Sequence, residues 1–278
     1  MGRAGRIGAD IEIVVTMNKL YVIKIGGNVL DDAHALSDFL KKFSSIQAPK
    51  ILVHGGGKTA TRLGDQLGIV SNYVNGRRIT DEPTRDLVTM VYGGLINKQL
   101  VAALQGWGCN ALGVTGADGN LIKAVKRPVK EIDYGYVGDI TPQSVNSTLL
   151  YFLLKQNVTP VFAPLTYADS TMLNTNADTI ASVLAISLSK HFDVRLIFCF
   201  EKKGVLKDVN DTTSVIRTLN QPMYEQLLAA GAFADGILPK LENAFGAIRA
   251  GVREVLIGEA EDLIQNTREE TVGTLITP

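Results

Sequence analysis

Cysteine is nearly absent from this chain of 278 residues: Cys109 and Cys199 lie far apart, and neither belongs to a CxxC pair. That excludes a disulfide framework and a cysteine-built zinc site, and it fits a reducing compartment with both thiols packed as small apolar side chains. An excess of charge of either sign is also lacking. Lys+Arg and Asp+Glu number 28 each, so no net field recruits nucleic acid or an anionic membrane. Near the N-terminus there is no long hydrophobic run, because Ile11–Ile25 is interrupted by Glu12, Asn18, Lys19 and Lys24. A signal peptide or membrane span is excluded there, and a cytoplasmic protein without nucleic-acid or membrane partners is expected. Repeats and low-complexity segments are missing too. With 46% hydrophobic and 20% charged residues, the chain can bury a large core in one α/β domain or two lobes. MGRAGRIGAD is too rich in glycine for a stable helix, and Met17, just before the first clear strand, is a candidate natural start. Residues 1–16 are then a non-native extension, which N-terminal sequencing of the native protein checks.

What is present is organised around ILVHGGGKTA, an apolar strand that runs through Gly55, Gly56 and Gly57 into a helix. Three glycines leave backbone amides uncovered beside the positive end of a helix dipole, so a negative ligand group can sit there. A bare strand-to-helix turn is the plainer reading, but one glycine would serve it. GGGKT also looks like the end of a Walker A loop, which needs its first glycine at the position of Leu52. The P-loop reading fails.

Upstream, the strand LYVIKI ends in Gly26-Gly27 and is followed by a helix over about Ala33 to Phe43. Lys24 near that strand's end is either a snorkelling lysine or a fixed cation beside glycines that admit a phosphate. Downstream, Asn75-Gly76 signals a hairpin, Arg77 and Arg78 follow it, and Thr80 or Asp81 can cap a helix running from Glu82 toward Gly106. An arginine there can fork a carboxylate. LIKAVKR and YGYVGDI alternate like a hairpin, and TPQSVNSTLLYFLLKQ reads as an amphipathic helix with a Thr-Pro start. Asn174, Asn176 and Asp178 fall at alternate positions beside the start of an apolar helix. One cap accounts for one of them and leaves two for ligand contacts. The strand–helix alternation resumes from His191, with a hinge candidate near Lys190, and DGILPK carries Lys240. The whole predicts an α/β/α three-layer sandwich around a central, mainly parallel sheet.

Cations, glycine amides and Asn/Asp side chains suit phosphoryl transfer, whose loose transition state asks mainly for positive charge and aligned donors. No histidine is placed as a base. His34 and His191 read as surface residues and His54 as a packed one.

Taken together, YVIKIGGN, ILVHGGGK, VNGRRIT, GGLINKQLV, MLNTNADTIA and DGILPK resemble the acetylglutamate kinases of the amino-acid kinase superfamily over Met17–Pro278. NGRRIT separates this group from aspartokinase, uridylate kinase, glutamate 5-kinase and carbamate kinase. The resemblance implies the carbamate kinase-like fold in two lobes, with residues 17–190 holding an N-acyl-L-glutamate and 191–278 holding ATP. By the same resemblance Lys24 and Lys240 neutralise the phosphoryl group, with Asp178 holding both lysines. Gly56, Gly57, Arg78, Asn174 and Asn176 would bind substrate. Gly26, Gly27, Glu201, Lys203, Gly204, Val205, Leu206, Asp235 and Gly236 would line the nucleotide site. Mg2+ would accompany ATP with no direct protein ligand. A homodimer is implied, and so is insensitivity to arginine, since no long N-terminal helix or arginine-site segment is recognisable.

The chain departs from the family at CFEKKGVL, where Phe200 and Glu201 replace the usual Thr/Ser-Asp pair. Around DYGYVGDI, the basic residues Lys123, Lys126 and Arg127 leave room for succinyl in place of acetyl, or stand as solvated surface charges. A carrier-linked amino acid is a further substrate, and a non-catalytic sensor on the same fold a further class. A Rossmann dehydrogenase is disfavoured, because no GxGxxG follows the first strand.

Overall fold

The computed structural model describes residues 18–208, 210–231, 233 and 237–278. The extension 1–16, the candidate start Met17 and the candidate site residues Asp235 and Gly236 lie outside the described residues.

Eight strands of the central sheet, numbered along the chain, are β1 (Lys19–Ile25), β2 (Lys50–His54), β3 (Ala111–Val114), β4 (Thr159–Phe162), β5 (Asp193–Phe200), β6 (Thr218–Leu219), β7 (Glu254–Glu259) and β8 (Thr274–Ile276). Their spatial order is β6-β8-β7-β5-β1-β2-β4-β3, and every neighbouring pair is parallel except β7–β8. Parallel strands need crossovers and are covered on both faces, which is why LYVIKI and KILVH are apolar almost throughout. Alternation then sorts their side chains. Leu20 and Val22 pack in one core with Ile180 and Leu184 of one helix and Leu241 and Phe245 of another, while Tyr21, Ile23 and Ile25 pack in a second core with Phe39, Phe43 and Leu100. The three-layer α/β/α sandwich expected from the alternation of elements is the fold observed.

The helices among the described residues are α1 (Gly27–Asp31), α2 (Ala33–Ser45), α3 (Gly57–Gln66), α4 (Glu82–Gly106), α5 (Ser147–Lys155), α6 (Ala177–Leu188), α7 (Gln221–Ala229), α8 (Leu238–Arg249) and the one-turn α9 (Leu263–Asn266), besides short 3₁₀ turns. Asp81 caps α4 by accepting from the Thr84 amide at 3.0 Å, with a proline in the first turn. Inside α4, Thr89–Ile96 is wound as a π-helix. Although α4 is long and apolar, Leu87, Val91, Leu100 and Leu104 sit in the second core, so it is a core helix of this sandwich.

Three local readings change. NVLD forms the short helix α1 ahead of the helix read from Ala33, and Asp32 then caps α2 through the amides of His34 and Ala35. Thr141–Ser144 closes a short 3₁₀ turn with a reciprocal capping box, and the extended Val145 breaks it from α5, which starts under an Asn146 cap. Leu165–Ala168 and Thr171–Asn174 pair as a hairpin whose turn residues Asp169 (φ 45°) and Ser170 (φ 64°) are both left-handed. That turn carries no glycine, so the usual hairpin signal was missing. The Asn75-Gly76 hairpin is present as read, pairing Tyr73–Val74 with Arg77–Arg78. So is Val125–Lys126 against Gly138–Asp139.

Candidate active site

Strands β1, β2 and β5 all end at the same sheet edge, the position where open α/β sheets present their ligand sites. Lys24 lies on the face of β1 that carries Leu20 and Val22, so its side chain extends toward the N-terminus of α6. There Asp178 lies between two lysines. Lys24 Nζ is 2.8 Å from Oδ1, and Lys240 Nζ, from the first turn of α8, is 3.2 Å from Oδ2. The Lys240 contact has the geometry of a hydrogen bond, while Oδ1 is held by charge at short range without a well-directed one. Side-chain exposures of 12% for Lys24, 17% for Asp178 and 21% for Lys240 put this triad in a low-dielectric recess that still opens to solvent. Burial pushes the Asp178 carboxyl up, but Lys24 and Lys240 outweigh it and hold the group below its ordinary value. Gly26 lies beside the Lys24 ammonium, where a Cβ would stand 3.7 Å from Nζ in ordinary contact.

Beside the triad is a cavity of about 440 Å³ whose lining includes Gly55–Gly57, Arg78, Asn174 and Asn176. Gly56 has φ 150°, and a Cβ there would meet Ile96 Cδ1 at 2.6 Å and Tyr92 Cδ1 at 2.9 Å. Only glycine suits this position, and the turn it makes presents the amides that start α3. Gly56→Ala is therefore expected to cost about 3 kcal/mol of stability by strain and overpacking, read by chemical denaturation. Arg78 is buried, donating to Gly57 O at 3.0 Å, Thr61 Oγ1 at 2.8 Å and Ser71 Oγ, with its guanidinium 4.8 Å from the Tyr73 ring centre. Of the three alternate polar residues, Asn176 is the helix cap, accepting from the Thr179 amide at 3.0 Å, and Asn174 donates to Thr80 Oγ1 at 3.1 Å. Gly138 and Asp139 of the hairpin Val125–Lys126/Gly138–Asp139 line the cavity, and Gly138 fits against Thr166 and Thr175, whose hydroxyls are 2.7 Å apart.

The sequence profile of the Amino acid kinase family matches residues 19–259. An acetylglutamate kinase of Cytophaga hutchinsonii is 54% identical over 93% of this chain and 98% of its own, and one of Bacteroides fragilis is 55% identical over 86% and 91%. The chain belongs to the amino acid kinase family, among the acetylglutamate kinases. Among solved structures, smu.665 from Streptococcus mutans UA159 is 28% identical, with a TM-score of 0.74 over 93% of this chain and 98% of that one.

Elsewhere in this kinase the site residues expected from sequence divide. Glu201 and Lys203 follow directly on β5, at the sheet edge that carries the triad, Glu201 exposed and Lys203 on the same short loop. Val205 is committed inward: its side chain is in the core, its amide donates to Thr274 Oγ1 at 2.8 Å and its carbonyl accepts from the Ile216 amide. It has no free group to offer a nucleotide. Gly204 has no room for a side chain, since a Cβ there would stand 2.5 Å from Thr274 Oγ1, and Leu206 bridges to Val215. Lys58, the lysine of the GGGK run, lies outside the cavity lining and ties α3 to α1, bonding Asn28 Oδ1 at 2.8 Å with Asp31 3.6 Å away. Residues that sequence reading passed over include Tyr73, Tyr92 and Asp139 on the cavity wall. Tyr92 had no signal, since an aromatic inside an apolar helix reads as core.

His54 is fully buried between Gly55 O, 2.7 Å from Nδ1, and Asn97 Nδ2, 3.2 Å from Nε2. Burial lowers its pKa to about 4, only partly opposed by the bond to Gly55 O, so the ring is neutral at physiological pH and ready for no acid–base role. The unfolded chain takes up a proton near 6.5 that the folded one refuses until about 4. Stability from this residue is thus present above pH 6.5 and lost as pH falls to 4. By linkage this is roughly 3 kcal/mol, to be checked by denaturant titrations of wild type and His54→Gln across that range.

Proposed function

We infer that the chain catalyses ATP-dependent phosphorylation of the γ-carboxylate of N-acetyl-L-glutamate to N-acetyl-L-glutamyl 5-phosphate, the second step of arginine biosynthesis. The observation that carries this reading is the Lys24–Asp178–Lys240 triad beside a cavity lined by Gly56, Gly57, Arg78, Asn174 and Asn176. A γ-carboxylate oxygen attacks the terminal phosphorus of ATP, the bond to the bridging oxygen breaks, and ADP leaves. The nucleophile is already ionised at neutral pH, because a glutamate-type carboxyl ordinarily titrates at roughly 4, so no base is needed.

Lys24 and Lys240 lie against the charge that spreads over the transferring oxygens, and Asp178 keeps both ammonium groups oriented. Amides of Gly26 and Gly27 line the phosphate path, and those of Gly56 and Gly57 receive the γ-carboxylate. Arg78 and Asn174 clamp the α-carboxylate and acylamide, with Asn176 adjacent. Residues 17–190 form the acylglutamate lobe and residues 191–278 the ATP lobe, with Glu201, Lys203, Gly204 and Leu206 near the nucleotide. Bound with ATP, Mg2+ would neutralise phosphate charge. Asp178 has both oxygens facing lysines, so phosphate oxygens and water are the fitting ligands for that ion. We place the enzyme in the cytoplasm as a homodimer, which light scattering on the purified protein checks.

Acetyl is favoured over succinyl by one contact. Of the three basic residues considered for a charged acyl group, only Arg127 lines the cavity, and its guanidinium is 2.6 Å from Asp139 Oδ1. Its charge is already compensated. ADP release from MgATP with N-acetylglutamate, N-succinylglutamate, glutamate and aspartate side by side tests the assignment. Preference for acetyl supports it, preference for succinyl transfers it to the larger acyl group, and turnover with none of them removes it.

A further inference from the structure

We propose that Tyr92 is a substrate-binding residue of this site, donating its phenolic hydrogen to the same carboxylate that Arg78 grips. The proposal deepens the reading given above and rests on it. Tyr92 is 5% exposed, yet it lines the cavity. A phenol so deeply buried ordinarily finds a partner for its hydroxyl. Here the Arg78 guanidinium is the hydroxyl's one hydrogen-bonding neighbour, and a guanidinium can only donate to the phenol oxygen, so the phenolic hydrogen itself has no acceptor among the described residues. Tyr92 lines the cavity, where a ligand can accept that hydrogen. Arg78 directs its best-aligned bonds to Ser71, Gly57 and Thr61 and also lies within hydrogen-bonding range of the phenol oxygen. Burial pushes the phenol above its ordinary pKa, with Arg78 pulling the other way and Tyr73 adding to the rise, so the group is a proton donor at neutral pH.

The backbone explains how an aromatic within a core helix reaches the substrate. Tyr92 sits in the π-wound segment Thr89–Ile96, and such segments recur at functional sites because the wider turn re-aims side chains. Gly93 beside it lets the helix close on the hairpin strand Leu165–Ala168, since a Cβ there would stand 3.2 Å from Leu165 Cδ1. On the other side the Tyr92 ring meets Gly56, whose missing Cβ leaves the space the ring edge fills. Ring, glycine turn and Arg78 thus form one wall, with a hydroxyl donor and a guanidinium facing the same space.

An anion at Arg78 satisfies both. An N-acetylglutamate α-carboxylate has two oxygens and can accept from the arginine and the phenol together. Tyr92→Phe removes one oxygen atom and keeps the ring packing, so the fold is retained, which a thermal melt verifies. The KM for N-acetylglutamate is expected to rise about tenfold, equivalent to about 1.4 kcal/mol, while kcat and the KM for ATP stay within about twofold. The α-carboxamide of N-acetylglutamate supplies the discriminating measurement. Wild type and Tyr92→Phe should differ far less with it than with the carboxylate. Equal KM values for N-acetylglutamate in the two proteins would overturn the proposal, and so would a loss that persists undiminished with the carboxamide or falls on kcat alone. If wild type itself fails to turn over N-acetylglutamate, the functional reading falls first, an outcome distinct from active wild type with an indifferent Tyr92→Phe.

Discussion

Lys24→Ala and Lys240→Ala are each expected to lower kcat by about 10²- to 10³-fold, the scale seen when one preorganised donor to a developing charge is removed. The KM for N-acetylglutamate should change little, because the lysines stand beside the cavity and are not among its lining residues. That split is the mark of a group used mainly in the transition state. Distances argue that the two losses will not simply add. Both ammonium groups are anchored on one carboxylate, at 2.8 and 3.2 Å, so removing either also loosens the other's anchor. Steady-state kinetics of the two single variants and the double variant decide this. Near-normal turnover in both single variants would remove the lysines from the chemistry.

Asp178→Asn should lower kcat by about two orders of magnitude through misplaced lysines and also reduce stability by about 2–3 kcal/mol. Taking the negative charge from between two partly buried cations leaves them facing one another. The pH dependence separates this from a packing defect. Because the folded-state pKa of Asp178 is depressed, the stability it contributes is present above 3.8 and is lost as pH falls through the lower folded value. The difference in unfolding free energy between wild type and Asp178→Asn should therefore be full at neutral pH and should close at strongly acid pH. A constant difference across the range would mean that the charge pairing contributes nothing.

Much of the candidate site was legible before any coordinates. Asn75-Gly76 required a hairpin, and the residue two beyond it, Arg78, is the buried guanidinium at the cavity. Of the alternate Asn174, Asn176 and Asp178, the expected single cap is Asn176, while Asn174 donates to Thr80 and Asp178 holds the lysines. Some of the structure was not legible, for reasons of geometry. Val205 lies in an apparent loop that tertiary contacts to Thr274 and Ile216 turn into core. The sequence rejects GGGK as a P-loop without saying where its lysine goes, and the packing of α1 and α3 sends Lys58 to Asn28.

The sequence by itself determined the α/β/α class and the places where backbone must come close to something, because apolar periodicity and glycine runs are local properties of the chain. Its motifs, read together, also identified the family. Only the tertiary structure decided that Lys24 and Lys240, 216 positions apart in the numbering, share one aspartate. It alone placed Tyr92 on the wall of the site. Which face of a strand or helix meets a ligand depends on crossovers and on the winding of α4, and those are fixed by packing between distant segments rather than by any stretch of residues read alone.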